Sequence, residues 1–299
     1  MAKINVIIGT TSLNRPMLHN DIFPDWIKWL SCLDKKKYNL MWFINIDIIK
    51  KLNITYEETV NNFNKLINNM CPVNFLRCDN DTGNFLKACK RLSQNIEDYA
   101  SKLKKNDSTK IIWLEDDWKI NLEQIVDIEE LIEIYSGNMT HINLTFIRNN
   151  YVHALAPSIL SYQLWKKLHY SAWKEQNVDI DPEHCIGVYY LKHYGKYQSI
   201  TNVTIINKKI NDKYLEQEFL NNEKSYYTYN NKKYDIENKD HINRYIQKQY
   251  IKNKFNDVMT FIRITPTACI DGCNYGRKFM EQYDIKKNKG DFDGKFYNT

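Results

Sequence analysis

The sequence lacks the glycine-rich turns of two common nucleotide-binding folds. No GxGxxG pattern follows the first apolar segment, where residues 9–15 read GTTSLNR, and the chain contains no GxxxxGK[ST] loop. Such turns let the backbone approach a pyrophosphate or surround a triphosphate. Their absence argues against a dinucleotide-binding Rossmann enzyme and a P-loop NTPase. A nucleotide that is held mainly through a metal on its diphosphate needs neither turn.

Long apolar runs and paired cysteines are also missing. No stretch approaches the roughly 18 apolar residues of a membrane span, and residues 1–8 enter a strand-like run without the layout of a signal peptide. The chain has seven cysteines, an odd number, and none of them forms a CxxC pair. We therefore expect a soluble cytoplasmic protein with reduced thiols and no membrane span.

The formal net charge of +6 does not by itself indicate a nucleic-acid partner. The lysines are interleaved with Asn, Asp and Glu, and no arginine-rich helix or aromatic and basic surface stands out. A solvated surface with a basic phosphate-binding cleft explains the charge equally well. We therefore expect no nucleic-acid partner.

Strand-like and helix-like segments alternate along the first 120 residues. The predicted strands are at residues 5–8, 39–46, 73–76 and 110–118, and the predicted helices at 19–32, 55–69 and 82–92. This alternation favours βαβ units, an α/β fold with a mainly parallel central sheet flanked by helices. Ligands of such sheets bind beyond the carboxyl ends of the strands.

The pattern loosens in the second half of the chain. Residues 141–147 predict a strand, and Asp181 followed by Pro182 predicts the start of a helix that continues to residue 193. Residues 207–256 are polar and rich in tyrosine, and we expect helical stretches and loops there. No repeat or linker divides the chain, so we predict one domain, residues 1–299, with an elaborated C-terminal half.

Residues 110–118 read KIIWLEDDW, so a short apolar run ends in three acids, Glu115, Asp116 and Asp117. The run predicts a strand buried on both faces, which would deliver the acids to a crevice at its carboxyl end. Adjacent carboxylates repel one another and are costly to bury unpaired, so Mg²⁺ or Mn²⁺ would compensate them. The structural alternative is neutralisation by Lys or Arg side chains.

These features together resemble the GT-A class of nucleotide-sugar glycosyltransferases. In that class an Asp-x-Asp motif or a variant closes the fourth strand, and the Glu-Asp-Asp triplet at residues 115–117 resembles one such variant. The TSLNRP opening at residues 11–16 and EDDW at residues 115–118 also look like viral and bacterial members. YGRKF at residues 275–279 resembles their IGR(K/E)W ending. It departs from that pattern at Tyr275, where Ile is expected, and at the preceding Asn274, where Asp is expected.

The resemblance implies an enzyme that uses Mn²⁺ or Mg²⁺ to move a sugar from a nucleotide sugar, in the first place a UDP-sugar, to a glycan or protein acceptor. An inverting mechanism is favoured. Residues 1–120 would form the nucleotide-binding half and residues 121–299 the acceptor-binding half. The abundance of Asn, Lys, Ile and Tyr is typical of A+T-rich genomes such as those of giant viruses, which would place the protein in a host cytoplasm or a virion.

Carried over by position, the resemblance assigns the metal to Asp117. Asp116 and Glu115 would bind ribose, sugar hydroxyls or metal-bound water. The nucleotide base would meet the loop after the first strand, and Asp47 would accept the uracil imide proton, although an N-cap is an alternative for that residue. The base-side loop residues are Thr10, Thr11, Ser12 and Arg15.

Basic residues near the crevice would contact the ribose and phosphates. Asn84 begins a helix, and Lys87 and Arg91 follow it by one and two turns; a solvated helix face is the alternative for these two cations. Arg277, next to Gly276, would close over the diphosphate as part of a C-terminal lid.

An inverting transfer needs a base that deprotonates the acceptor hydroxyl. Asp181 and Glu183 are the candidates, because the class places a carboxylate at a comparable helix N-terminus. Helix capping is the alternative for both, and the sequence does not choose between them. One of the aromatic residues Tyr151, Trp165 and Trp173 could stack against the acceptor sugar.

Two other functions compete with this hypothesis. The first is a Mg²⁺-dependent nuclease or phosphohydrolase that uses the same carboxylates, although no second acidic cluster for a two-metal site is evident. The second is a non-catalytic module that only binds a glycan. An intact acidic triplet together with candidate bases argues against the second.

Overall fold

The computed structural model describes the protein in separate ranges. These are residues 3–79, 84–103, 108–122, 125–134, 140–144, 155, 157–176 and 181–194, followed by the backbone of further strands between residues 198 and 270.

The first half of the chain alternates strands and helices as the sequence predicts. The elements are β1 (Ile4–Leu13), α1 (Pro16–Leu30), β2 (Tyr38–Asp47), α2 (Tyr56–Ile67), β3 (Val73–Cys78), α3 (Phe85–Ala100), β4 (Lys110–Glu115) and β5 (Lys119–Ile120). A 3₁₀ turn at Lys50–Leu52 precedes α2. β1 is longer than the predicted strand, because it continues from the apolar run through the polar residues up to Leu13.

Shorter elements follow. They are α4 (Ile128–Ile134), β6 (Thr140–Asn143), β7 (Ser158–Ser161), α5 (Tyr162–Trp165), a π turn at Lys166–Tyr170, α6 (Ser171–Glu175) and α7 (Pro182–Tyr194). The remaining strands are β8 (Gln198–Asn207), β9 (Leu215–Gln217), β10 (Tyr226–Tyr229), β11 (Lys232–Asp235), β12 (Tyr245–Lys252), β13 (Val258–Ile264) and β14 (Cys269–Ile270).

Local sequence explains where the helices begin. Pro16 occupies the first turn of α1, and Asn84 caps α3 by accepting a hydrogen bond from the Lys87 amide at 2.8 Å. At α2 the hydroxyl of Thr55 accepts from the Glu58 amide while the Glu58 carboxylate accepts from the Thr55 amide, which is a capping box.

The main sheet has the strand order β3-β2-β1-β4-β7-β6-β13-β12-β8-β9. The pairs β3–β2, β2–β1 and β1–β4 are parallel, and β7 then runs antiparallel to both β4 and β6. The prediction of an α/β fold with a mainly parallel central sheet and flanking helices is therefore confirmed for its first six strands. The carboxyl ends of β1, β2 and β4 meet at one edge.

Two apolar cores cover the faces of this sheet. Alternate residues of β4 point to opposite faces, so Ile112 and Leu114 join the core formed with α1, α2 and α4, whereas Ile111 and Trp113 join the core formed with α3, α5, α6 and α7. Gly9 allows α3 to lie close against β1, since a Cβ atom at residue 9 would come within 2.8 Å of Ile96 Cδ1.

The second half differs from the prediction. Within residues 207–256 the described segments are strands, where we expected helical stretches and loops. The β-branched and aromatic residues of the YIQKQYIK sequence of β12 favour a pleated strand over a helix. The strand predicted at 141–147 is described as β6, which ends at Asn143.

A short two-stranded sheet lies beside the main sheet in the chain order, next to the acidic triplet. β14 pairs antiparallel with β5, which brings residues 269–270 beside residues 119–120, immediately after the acidic triplet. Within the described ranges, no helix is both long enough and apolar enough to cross a bilayer.

Candidate active site at the carboxyl end of the sheet

The acidic triplet lies in a tight turn that leads from β4 to β5. The Trp118 indole N–H donates to Glu115 Oε2 at 3.0 Å, and the Trp26 indole N–H donates to the Trp118 carbonyl at 2.7 Å. Glu115 and Asp117 are half-buried, whereas Asp116 is buried. The three carboxylates therefore occupy different environments although they are adjacent in sequence.

Asp116 is surrounded by hydrogen-bond donors from the end of β1 and from α1. Its Oδ2 accepts from the Leu13 amide and the Ser12 hydroxyl at 2.9 Å each, from Arg15 Nε at 2.9 Å and from His19 Nε2 at 3.1 Å. Its Oδ1 accepts from Arg15 Nη2. We call this group, Asp116 with its donors from residues 12, 13, 15 and 19, the Asp116 cage.

The ion pair between Arg15 and Asp116 determines the charges within the Asp116 cage. Burial alone would raise the pKa of Asp116, but the Arg15 guanidinium and the His19 hydrogen bond outweigh it and hold that pKa well below its usual range. Burial lowers the pKa of His19 in spite of the neighbouring carboxylate. At neutral pH the cage therefore holds an ionised Asp116, a cationic Arg15 and a neutral imidazole.

The predicted base-side loop residues lie in or beside this cage. Thr10 is buried and its hydroxyl accepts a hydrogen bond from the Trp42 indole at 2.8 Å. The Thr11 carbonyl accepts from the Asp116 amide at 3.2 Å. Ser12 and Arg15 are occupied with Asp116. In this structure Thr11, Ser12 and Arg15 hold the end of β1 against the acidic turn, whereas Thr10 bonds to β2.

Glu115 feels the charge of its neighbour Asp117 and of a carboxylate from a distant part of the chain. Burial raises the pKa of Glu115 well above its usual range, and the negative charges of Asp117 and Glu183 raise it further, against the Trp118 hydrogen bond. Glu183 is therefore within electrostatic reach of the triplet, although 68 residues separate Glu115 from Glu183.

The two candidate bases at the start of α7 have different roles in the fold. Asp181 Oδ1 accepts from the Glu183 amide at 2.8 Å and from the His184 amide at 3.1 Å, so Asp181 caps the helix. Glu183 Oε1 accepts from the Leu155 amide at 2.7 Å. Burial raises the pKa of Glu183 to about 7, with a smaller contribution from Asp181.

Asp47, at the end of β2, belongs to a second polar group. Its Oδ1 accepts from Asn45 Nδ2 at 3.0 Å and from Arg91 Nη2 at 3.2 Å, while Arg91 Nε donates to Asn45 Oδ1 at 2.8 Å. Burial raises the pKa of Asp47, and Asn45 and Arg91 oppose that rise. The structure thus joins Asp47 and Arg91, which the sequence analysis assigned to different parts of a nucleotide.

A buried thiol lies between these groups. Burial raises the pKa of Cys89 on α3, and the negative charges of Glu115, Asp181 and Asp47 raise it further. The ends of β2 and β4 and the start of α7 therefore converge around the N-terminal half of α3. Asn84 begins that helix, and the Lys87 side chain is exposed one turn later.

Some predicted residues are not part of this group. Trp165 and Trp173 are fully buried, so neither ring offers a face for stacking on a sugar; they pack in the core behind α3. Trp173 instead donates its indole N–H to the Pro182 carbonyl at 3.1 Å and so supports the start of α7. Tyr151 and Arg277 lie outside the described residues.

The donor set fits a hard divalent cation in an open site. Among the described residues, no group of three His, Cys, Asp or Glu side chains is arranged to hold a metal by itself. Carboxylate oxygens suit Mg²⁺ and Mn²⁺, and Mg²⁺ is commonly bound by one or two carboxylates together with substrate phosphates and water. The crowding of carboxylates around Glu115 also favours a cation there.

Sequence reasoning missed three residues that shape the site. The sequence pattern places His19 in an amphipathic helix, Asn45 in a strand and Trp118 at the end of the EDDW motif, and it assigns none of them to the site. An i+4 spacing from Arg15 places His19 on the same face of the helix start, which is the one sequence signal that could have indicated it. The partners of Asn45 and Trp118 depend on tertiary packing.

Comparisons with known proteins give partial structural similarity. No family model and no curated protein matches the chain. S. aureus TarS 1–349 in complex with UDP-GlcNAc is 13% identical, with a TM-score of 0.34, over 55% of this chain and 47% of that chain. A second structure of TarS 1–349 is 12% identical, with a TM-score of 0.35, over 64% and 55%. The chain thus spans about half the length of these TarS chains.

Core-mannan synthase A from Aspergillus fumigatus, in an Mn/GDP form, is also similar. It is 12% identical, with a TM-score of 0.32, over 62% of this chain and 70% of that chain. At this level of similarity, the function has to be inferred from the geometry of the site itself.

Proposed function

We propose that the protein is a metal-dependent glycosyltransferase that moves a sugar from a nucleotide sugar to a glycan or protein acceptor with inversion. The observation that carries the proposal is that β4 delivers Glu115 and Asp117 to the carboxyl end of a parallel sheet, within electrostatic reach, at Glu115, of Glu183 from the start of α7. The Asp47 and Arg91 pair lies at the end of the neighbouring strand β2.

In this proposal Asp117 is the residue that would hold Mn²⁺ or Mg²⁺. When bound, such an ion stabilises the negative charge that develops on the leaving nucleoside diphosphate. Glu115, which the Trp118 indole orients, accepts hydrogen bonds from sugar or ribose hydroxyls. Arg277 closes over the diphosphate in this proposal. β14 ends seven residues before Arg277, and its pairing with β5 is compatible with that role.

The second polar group is the proposed contact for the nucleoside. Asp47 accepts the imide proton of uracil, which favours a UDP-sugar as donor. Asn45 and Arg91 donate to the Asp47 carboxylate and oppose the rise that burial causes in its pKa. Asn84 and Lys87, at the start of α3, lie toward the ribose and phosphates.

Glu183 is the proposed general base, in preference to Asp181. Asp181 already accepts two amides of its own helix, whereas Glu183 has a pKa near 7 that suits proton transfer at neutral pH. Glu183 takes the proton from the acceptor hydroxyl as its oxygen attacks the anomeric carbon. The bond from that carbon to the diphosphate oxygen breaks, and its electron pair leaves with the diphosphate.

A Mg²⁺-dependent nuclease or phosphohydrolase remains the alternative. It would use the same carboxylates, but two-metal hydrolysis needs several shared carboxylate or His ligands. No such group is present in the described part of the chain.

The test is a thermal-shift panel of UDP, GDP, CDP and ADP, each with and without Mn²⁺, on the native protein and on Asp117→Asn. A ligand at ~100 times its dissociation constant adds about 2.7 kcal/mol of stability, which raises Tm by a few degrees. We expect UDP to stabilise the native protein only when Mn²⁺ is present, and Asp117→Asn to lose that shift.

Asp98→Asn is the matched control. Asp98 is an exposed carboxylate near the far end of α3, where it accepts from Gln94 Nε2. This variant should keep the native response. If no diphosphate stabilises the native protein with Mn²⁺, or if Asp117→Asn responds as the native protein does, the proposed function is wrong.

A further inference from the structure

The Asp116 side chain is bonded to groups inside the protein. A carboxylate offers about four lone-pair positions, and five donor groups reach Asp116. The residue is also buried. Burial and these contacts turn the Asp116 carboxylate into the protein, toward β1 and α1, rather than toward a ligand.

The Asp116 cage connects separate elements to the acidic turn. Ser12 and Leu13 end β1, whereas Arg15 and His19 belong to the start of α1. The His19 ring packs against Phe63 with centroids 4.4 Å apart and against Phe23 at 5.6 Å. The position of Asp116 is thus fixed by the core on one side of the sheet.

Asp116 lies between Glu115 and Asp117 in the sequence, the two acids of the proposed metal and nucleotide site. A carboxylate held in place at this position also fixes the peptide groups on either side of it. Because the Asp116 amide donates to the Thr11 carbonyl as well, both its backbone and its side chain are bonded to β1.

We propose that Ser12, Arg15 and His19 are positioning residues for the metal site: through Asp116 they hold Asp117 and Glu115 in the geometry that binds the metal and nucleotide. This inference rests on the proposed function. It assigns no contact with the substrate to the cage. It differs from a purely structural role, in which loss of a cage donor would lower stability without changing metal binding.

The experiment compares two substitutions of His19. His19→Phe keeps a ring for Phe63 and Phe23 but removes the donor to Asp116, whereas the Nε2 amide of His19→Gln can still donate. The measurement is the Mn²⁺ concentration that gives the half-maximal UDP-dependent thermal shift. Substitution of a residue that orients a metal ligand typically weakens metal binding by about 10–100-fold. We expect His19→Phe to need about ten times more Mn²⁺ and His19→Gln to stay within about threefold of native.

Two further variants separate positioning from stability. Phe23→Leu alters packing on the His19 ring without removing a donor, so it should lower Tm and leave the Mn²⁺ requirement unchanged. Ser12→Ala removes one small donor, should raise the Mn²⁺ requirement, and decides the question if His19→Phe does not fold.

The outcomes distinguish this inference from the proposed function. If Asp117→Asn loses the Mn²⁺-dependent shift while His19→Phe, or Ser12→Ala in its place, keeps the native Mn²⁺ requirement, the positioning role is overturned and the metal site stands. If the native protein shows no Mn²⁺-dependent shift, both proposals are overturned. The positioning role would also be overturned if Phe23→Leu raised the Mn²⁺ concentration needed for the half-maximal shift as much as His19→Phe does.

Discussion

At the scale of single residues, three adjacent acids acquire three different environments. Asp116 is ionised inside a cage of donors, Glu115 is held by an indole, and Asp117 is half-buried at the turn. A sequence motif therefore names the residues of a site without saying which of them faces a ligand. The same applies at α7, where Asp181 is a cap and Glu183 is a half-buried carboxylate with a raised pKa.

The pKa of Glu183 gives a prediction about the pH dependence of catalysis. A base must be ionised to accept a proton, and burial raises this pKa to about 7. The ionised fraction, and with it kcat/KM, should fall about tenfold per pH unit well below 7 and level off above it. Glu183→Gln should lower kcat by roughly 10²–10⁴-fold and remove this acid limb from the residual activity.

The measurement is a pH profile of sugar transfer for the native protein, Glu183→Gln and Asp181→Asn. Asp181→Asn is the comparison, because an Asn side chain can still cap a helix. It should keep an acid limb near the native position. A native limb that persists unchanged in Glu183→Gln would mean that another group is the base.

At the scale of elements, the approach of α3 to β1 depends on Gly9. A Cβ atom there would lie 2.8 Å from Ile96 Cδ1 and 3.5 Å from Trp113 Cε3. Gly9→Ala should therefore lower the free energy of unfolding by about 1–3 kcal/mol, as overpacked cores do. The lower end is expected, because Cδ1 is the far end of a flexible side chain. Urea unfolding would measure the change.

A double-mutant cycle identifies the clash as the cause. Ile96→Val removes the Cδ1 atom alone, so Gly9→Ala should cost less in the Ile96→Val background than in the native one. If the two effects simply add, the cost of Gly9→Ala comes from the backbone or from Trp113 and not from contact with Ile96.

The elements of the first half could be predicted from the sequence because their signals are local. Apolar runs mark β2 and β4, and the caps Thr55 and Asn84 mark helix starts. The strands in residues 207–256 were not predicted, because Tyr and Lys side chains interrupt the apolar alternation and the pairing of β12 with β8 and β13 joins distant segments. The partners of Asp116 come from residues about 100 positions away, which no local pattern reveals.

At the scale of the whole molecule, the sheet separates two cores that have no side chain in common among the described residues. Ile22 on α1 belongs to one and Ile186 on α7 to the other, and both are fully buried. Each Ile→Val substitution should cost about 0.5–1.5 kcal/mol. Because the sites lie on opposite faces, the double variant should equal the sum within about 0.5 kcal/mol.

Urea denaturation of the single and double variants, followed by tryptophan fluorescence and by circular dichroism, would check this. A single transition seen by both probes means that the two cores unfold together. Transitions that differ between the two probes would show that the two cores do not unfold together. A double variant that departs clearly from the sum would show that the two sites are not independent.

The Asp116 cage has a consequence for the thermodynamics of ligand binding. Since folding already immobilises the end of β1 and the acidic turn against each other, a ligand does not have to order them. Preorganisation of this kind lowers the entropy lost on association. It also places the amides of Leu13 and Asp116, which donate to Asp116 Oδ2 and to the Thr11 carbonyl, among the hydrogens that exchange with solvent only on deep unfolding, whether or not a nucleotide is bound.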